Sequence, residues 1–182
     1  DSIWAAGDQM TRGFLLGATA GRTTLTGEGL QHMDGHSPLL AGTNPAVVSY
    51  DPAFAYEVAH LIREGIDRMY GPGRGENVMY YLTIYNEPTP QPAQPENLDV
   101  EGLHKGIYLY SPAEGGGHQA SILASGIGMQ AALQARDILA EEYGVHANIF
   151  SVTSWNELAR DGQRHDLAQL REPAAQIAEP FV

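Results

Sequence analysis

The fold is decided by the stretch Val78-Met-Tyr-Tyr-Leu-Thr-Ile-Tyr85. It is rich in β-branched and aromatic residues, and this composition predicts a buried strand. Upstream, apolar side chains from Phe54 to Met69 recur at helical spacing, and the pattern ends at Gly71-Pro72, which predicts a helix. A short apolar run at residues 46–50 predicts a further strand before that helix. Strand, helix and strand in this order predict parallel pairing through a right-handed crossover.

The second half of the chain repeats this alternation. We predict strands at residues 120–124 and 148–152, a helix at 126–143 and a short helix at 155–160. The proline-rich stretch 86–105 shows no periodicity and is predicted to be a loop. The Gly-rich segment 113–117 has the composition of a linker, so we predict one domain over residues 1–112 and another over 118–182. The fold class is therefore α/β with mainly parallel strands.

Charge and composition restrict the classes of function. The chain has 182 residues, with 10 Lys and Arg against 22 Asp and Glu, for a net charge of −12. So acidic a surface repels phosphate backbones and anionic lipid headgroups, and we expect neither a nucleic-acid nor a membrane partner. The absence of cysteine from the sequence excludes disulfides, thiolate metal ligands and a cysteine nucleophile.

Both ends of the sequence have the character of internal segments. The first residue is Asp1, an apolar stretch that contains Trp4 begins almost at once, and the last two residues are the hydrophobic pair Phe181-Val182. We therefore expect this chain to be a fragment of a longer protein.

The densest group of chemically active side chains lies in residues 21–37. It contains Glu28, His32, Asp34 and His36, separated by glycines that permit tight turns and a close approach of the backbone to a ligand. A histidine titrates near neutral pH, and a neighbouring carboxylate can orient its ring and raise its pKa. This combination suits proton transfer or the binding of a small anionic substrate.

Two alternatives remain open at this point. His32 and His36 have the i, i+4 spacing of a metal-binding pair, although the intervening glycine disfavours a helix, and a metal hydrolase would use such a pair. Gly126-Ile-Gly-Met-Gln-Ala131 matches a dinucleotide-binding fingerprint but lacks the acidic partner about 20 residues downstream. It leaves the possibility of a stand-alone acidic binding module for an anion or a nucleotide.

Several segments resemble the homodimeric bacterial pyruvate dehydrogenases, the decarboxylating, acetyl-transferring first component of the pyruvate dehydrogenase complex. The most specific is Gly21-Arg-Thr-Thr-Leu-Thr-Gly-Glu-Gly-Leu-Gln-His-Met-Asp-Gly-His-Ser37. Further matches are Trp4–Gln9, Tyr50–Val58 and Ser151–Gly162. The resemblance covers almost the whole chain, and within the family it is strongest to actinobacterial members.

The resemblance implies a transketolase-like arrangement of three-layer α/β domains. Residues 1–112 resemble the later part of the middle, aminopyrimidine-binding domain, and residues 118–182 resemble the start of the carboxyl-terminal domain. By the same resemblance His32 and Glu28 are the catalytic residues: His32 faces the substrate side of the cofactor, and Glu28 lies at the dimer interface beside the active centre. His36 and Asp34 are expected to be their neighbours.

The implied cofactors are thiamine diphosphate and Mg²⁺. The implied substrate is pyruvate, the partner is the lipoylated acetyltransferase component, and the parent is a cytoplasmic homodimer of glycolytic and pyruvate metabolism. The family's diphosphate and metal motif, Gly-Asp-Gly followed by Asn, does not occur in this sequence. We therefore expect no cofactor-binding or metal-binding residue in this chain, no tight cofactor binding by it, and no activity from it alone.

Overall fold

The computed structural model describes residues 2–18, 34, 36–85, 87–171 and 179–181. Helices and strands alternate along most of this chain. The elements are α1 Ser2–Asp8, β1 Gly13–Ala18, α2 Ser37–Gly42, β2 Val47–Tyr50, α3 Ala55–Tyr70, β3 Met79–Ile84, α4 Val100–Lys105, β4 Tyr108–Ser111, β5 His118–Ala124, α5 Gly128–Tyr143, β6 Val145–Ser151 and α6 Trp155–Arg171.

The strands form two small sheets. The first has the order β1-β3-β2 and is parallel throughout, and the second has the order β4-β6-β5. In the second sheet β5 and β6 are parallel, whereas β4 runs antiparallel to β6. The predicted α/β class with mainly parallel strands is confirmed.

The strand predicted from residues 78–85 is the centre of the first sheet. Its residues Tyr80 and Leu82 are fully buried, and they pack with Leu61 and Met69 of α3 in the largest apolar cluster. This burial explains the run of β-branched and aromatic residues, because a central parallel strand is covered on both faces.

Three local predictions differ from the structure. The stretch 86–105 is not loop throughout, because Val100–Lys105 forms α4, whose first turn is capped by the Asp99 carboxylate through the Gly102 N–H at 2.8 Å. The last helix continues to Arg171 rather than ending at residue 160. Tyr108–Ser111, which no strand was predicted to include, pairs with β6.

The pairing of β4 bears on the domain boundary. Residues 113–117 connect β4 to β5 within the second sheet, so β4 packs with strands that follow the predicted linker. The division at residues 113–117 remains a prediction, and the sheet topology favours a boundary that precedes β4. No helix in the described ranges is long and apolar enough to span a membrane.

Candidate active site at the carboxyl edge of the first sheet

The carboxyl ends of the three parallel strands meet at one edge of the first sheet. Ala18 of β1 is paired with Ile84 of β3, and Tyr50 at the end of β2 is paired with Leu82. Strand β1 therefore ends at this edge, at Ala18. In open α/β sheets ligands bind outside the carboxyl ends of the strands, so this edge is the candidate active site.

Two of the four predicted site residues, His32 and Glu28, lie outside the described residues. Their roles remain predictions from the resemblance. The other two, Asp34 and His36, are described and lie next to each other at the start of α2.

Asp34 fastens the end of the 21–37 segment to the sheet. Its Oδ1 accepts hydrogen bonds from the backbone N–H groups of His36 at 3.2 Å and Ser37 at 3.0 Å. The Tyr81 hydroxyl, on the central strand β3, donates to Asp34 Oδ2 at 3.4 Å. Partial burial alone would raise the pKa of Asp34, but the hydrogen bonds from Ser37, His36 and Tyr81 outweigh it and hold the pKa below its usual value. Asp34 therefore stays an ionised acceptor at neutral pH.

His36 is exposed and immediately precedes α2. It is joined to Asp34 through its backbone N–H, and its side chain does not cap the helix. Asp34 and His36, which were predicted to be neighbours of His32 and Glu28, are thus joined to each other through the main chain. The His36 imidazole is left at the surface beside the sheet edge.

A second polar cluster at the same edge could not be identified from the sequence. The carboxylate of Asp51, which follows β2, accepts a hydrogen bond of 2.5 Å from the Thr83 hydroxyl and another from the Tyr85 hydroxyl. Asp51 is also joined to the segments that follow β6 and β5, because its N–H donates to the Thr153 carbonyl and its own carbonyl accepts from the Gly126 N–H. The sequence does not predict this cluster, since the hydrogen-bond partners of Asp51 are more than 30 positions away.

Side chains from other parts of the chain pack against the turn at Gly126, and its N–H groups are already hydrogen-bonded. A Cβ at Gly126, where φ is +50°, would collide with the Tyr85 hydroxyl and the Asp51 carboxylate. The N–H groups of Gly126, Gly128 and Met129 all donate to backbone carbonyls. A carboxylate beside the turn and paired N–H groups disfavour an anion at this helix start, because anion sites need free N–H donors.

The metal alternative also finds no support in the described part of the chain. It contains no group of three or more His, Asp or Glu side chains placed to hold a metal ion. His32 lies outside the described residues, so the predicted His32–His36 pair itself is not tested.

Comparison with known proteins identifies the family. Residues 1–92 match the pyruvate dehydrogenase E1 component middle domain, and residues 106–179 match the transketolase-like C-terminal domain. The chain belongs to the pyruvate dehydrogenase E1 component family. It is 74% identical to the E1 component of Corynebacterium glutamicum, 58% identical to that of Mycobacterium tuberculosis and 48% identical to that of Escherichia coli. Each match covers the whole of this chain and 20% of the relative.

Solved structures support the same fold. The chain superimposes on transketolase from Leishmania mexicana with a TM-score of 0.65 at 16% identity, covering 92% of this chain and 23% of that one. A transketolase from Pichia stipitis gives a TM-score of 0.61 at 18% identity, covering 83% of this chain and 20% of that one. The predicted resemblance to pyruvate dehydrogenase and the predicted transketolase-like fold are both confirmed.

Proposed function

We propose that the protein containing this chain decarboxylates pyruvate with thiamine diphosphate and Mg²⁺ and transfers the acetyl group to a lipoyl group on the acetyltransferase component. The observation that carries the proposal is the identity of 74% to a pyruvate dehydrogenase E1 component across all 182 residues. Because the chain spans about a fifth of its curated relatives, this activity belongs to the whole protein.

We assign the proton-transfer role to His32. Two described features support this assignment: β1, which precedes residue 32 in the chain, ends at the carboxyl edge of the first sheet, and Asp34, which follows it, accepts a hydrogen bond from Tyr81 of β3. A protonated imidazole would attract the carboxylate of pyruvate or donate a proton during acetyl transfer. Glu28 would act beside it at a subunit interface, with His36 and Asp34 as neighbours.

We expect the described residues to form one wall of a thiamine diphosphate site rather than the whole site. They provide polar side chains at the sheet edge, but no three carboxylate or imidazole groups placed for Mg²⁺. We propose that the diphosphate and the metal are held by other parts of the protein, because the family's Gly-Asp-Gly motif does not occur in this sequence. When bound, the cofactor acts as the electron sink for decarboxylation, while the contribution of this chain is to orient pyruvate and to hold the proton of His32.

The remaining partner assignments follow the same logic. The intact protein would act as a cytoplasmic homodimer and deliver acetyl groups to the lipoylated component, without binding nucleic acid or membranes. Within it, this chain would contain the end of the middle domain and the start of the carboxyl-terminal domain, with β4 in the second of these because it pairs with β6.

The test is a coupled assay on the intact protein. With pyruvate, thiamine diphosphate, Mg²⁺ and an isolated lipoyl domain, we expect CO₂ release and acetylation of the lipoyl domain in equal amounts. CO₂ release without acetylation would refute the transfer step, and no CO₂ release would refute the proposal as a whole.

The 182-residue chain alone is proposed to be inactive. Titration of thiamine diphosphate and Mg²⁺ into the isolated chain should give no calorimetric binding isotherm. Stoichiometric binding would show that this chain holds the cofactor by itself and would contradict the assignment of the diphosphate and metal ligands to other domains.

A further inference from the structure

A cavity of about 400 Å³ lies between α2 and α6, beside the carboxyl end of β2. Its size is within the range of small-molecule sites. The walls come from both halves of the chain: Leu39 and Gly42 from α2, Asp51 after β2, and Trp155 and Asn156 from α6. Asp51 belongs to the polar cluster at the sheet edge described above, whereas no role has been assigned to Leu39, Trp155 or Asn156.

One buried acceptor in the wall has no partner. Asn156 Oδ1 is inaccessible to solvent and has no hydrogen-bond partner among the described residues. The amide of Asn156 fits there because position 42 is glycine, since a Cβ at Gly42 would lie 2.7 Å from Asn156 Nδ2. Buried acceptors in folded proteins are normally paired. Rotation of this carboxamide would present Oδ1 to a donor bound in the cavity.

The charge of the cavity wall indicates whether the bound hydrogen-bond donor would be cationic or anionic. Asp51, which is 7% exposed, contributes a carboxylate, and the lining contributes no Lys, Arg or His side chain in the described part of the chain. A cationic group is therefore favoured over an anionic one.

The apolar walls indicate the shape and polarity of the rest of the ligand. The Trp155 ring is 52% exposed and Leu39 is 69% exposed, although both border the cavity. The Trp155 indole is fixed by a hydrogen bond of 3.2 Å from its Nε1 to Ser125 Oγ. A fixed indole face beside a carboxylate suits a planar cation, which gains from both stacking and the ring quadrupole.

We propose that this cavity binds a small planar organic cation that carries N–H donors, with its charged end toward Asp51 and Asn156 and its apolar body against Trp155 and Leu39. The site lies between α2, which precedes β2 of the first sheet, and α6, which follows β6 of the second sheet. A bound ligand would therefore also strengthen the contact between these helices.

The test uses benzamidine as the probe, with benzoate as its anionic counterpart, in equilibrium dialysis against the intact protein. We expect benzamidine to bind at one site with a dissociation constant of about 1 mM, as the size of the probe allows, and benzoate to bind at least tenfold more weakly. Equal binding of the two probes, or no binding of benzamidine, would overturn the proposal.

Variants locate the site. Ala159→Leu fills the cavity from an exposed position of α6 and should weaken benzamidine binding at least tenfold. Ala131→Leu, at an exposed position of α5, is the matched control and should change it less than twofold. Asp51→Asn keeps an acceptor for Thr83 and should weaken binding at least fivefold. Unchanged affinity in Ala159→Leu, with its melting temperature preserved, would refute this location.

Discussion

Glu57 of α3 and Ser151 of β6 are 94 positions apart in the chain and are joined by a hydrogen bond of 2.7 Å from Ser151 Oγ to Glu57 Oε1. The Glu57 side chain is fully buried. The same oxygen accepts from the Tyr108 hydroxyl at 2.7 Å, and Oε2 accepts from the N–H groups of Ala53 and Phe54 at the start of α3. One carboxylate therefore caps a helix of the first half and binds two strands of the second sheet.

We predict that Glu57→Gln destabilises the fold by about 2–3 kcal/mol, because the amide places a donor against groups that already donate. Urea denaturation followed by circular dichroism measures this change. Glu101→Gln is the control, since its side chain is 75% exposed and, among the described residues, forms an ion pair with Lys105 alone, and it should cost less than about 0.5 kcal/mol. Equal effects of the two substitutions would contradict the central role of Glu57.

Arg160 provides a second connection between the halves. From α6 its guanidinium donates to the carbonyls of Val47 at 2.7 Å, Gly42 at 3.1 Å and Asn44 at 3.0 Å. Arg160→Met should lower the free energy of unfolding by about 2 kcal/mol, because three carbonyls lose a charged donor. Arg164→Met serves as the control, since Arg164 is 63% exposed and pairs only with Asp161 among the contacts described. A loss no larger than that of the control would refute the prediction.

The close packing at Gly126 can be tested by comparing a substitution there with the same substitution at Gly144. Gly126 and Gly144 both have positive φ, but only at Gly126 would a Cβ meet other atoms within 4 Å. Gly144→Ala should cost about 1 kcal/mol for the left-handed backbone alone. Gly126→Ala should cost at least about 2 kcal/mol more, because Asp51 and Tyr85 must move. Thermal melting of the two variants compares them, and equal melting temperatures would contradict the packing.

Most of the regular structure could be predicted because its signals are local. The helix of residues 55–70 and the central strand both follow from apolar spacing within one window. The strand Tyr108–Ser111 could not be predicted in the same way, since it is short, half-exposed and paired antiparallel with residues 149–151, far along the chain. The Asp51 and Glu57 clusters were missed for the same reason, because their partners become neighbours only after the strands pair.

The candidate site, like the fold, could be predicted only in part from the sequence. The concentration of glycines, histidines and carboxylates indicates a site in residues 21–37 from sequence alone, and the resemblance separately implies the roles of His32 and Glu28. The sequence did not show that Asp34 is an anchor, since this depends on Tyr81 of the central strand being within reach of its carboxylate.

Stability should depend on pH through His104. Burial lowers the pKa of His104 below its ordinary value of 6.5, and the neighbouring Glu64 carboxylate and the backbone of His60 offset only part of this effect. The folded protein therefore binds fewer protons at His104 than the unfolded chain does. The contribution of His104 to the free energy of unfolding is present above about pH 6.5 and is lost as the pH falls below that value. Denaturation between pH 5 and 8 measures this slope.

His104→Gln should flatten the dependence in that pH window. His118→Gln, which removes an exposed histidine of β5, should leave it unchanged. A slope that is the same in wild type and His104→Gln would show that other groups cause it.

The most direct test of the proposed function is steady-state pyruvate turnover by the intact protein and its His32→Ala variant, with thiamine diphosphate, Mg²⁺ and a lipoyl domain present. His118→Ala is the control for loss of a histidine. We expect His32→Ala to lose at least about 100-fold in turnover, the scale of a general acid–base contribution, while His118→Ala stays within twofold of wild type. Turnover by His32→Ala within a few-fold of wild type would contradict the assignment of the catalytic proton to this chain.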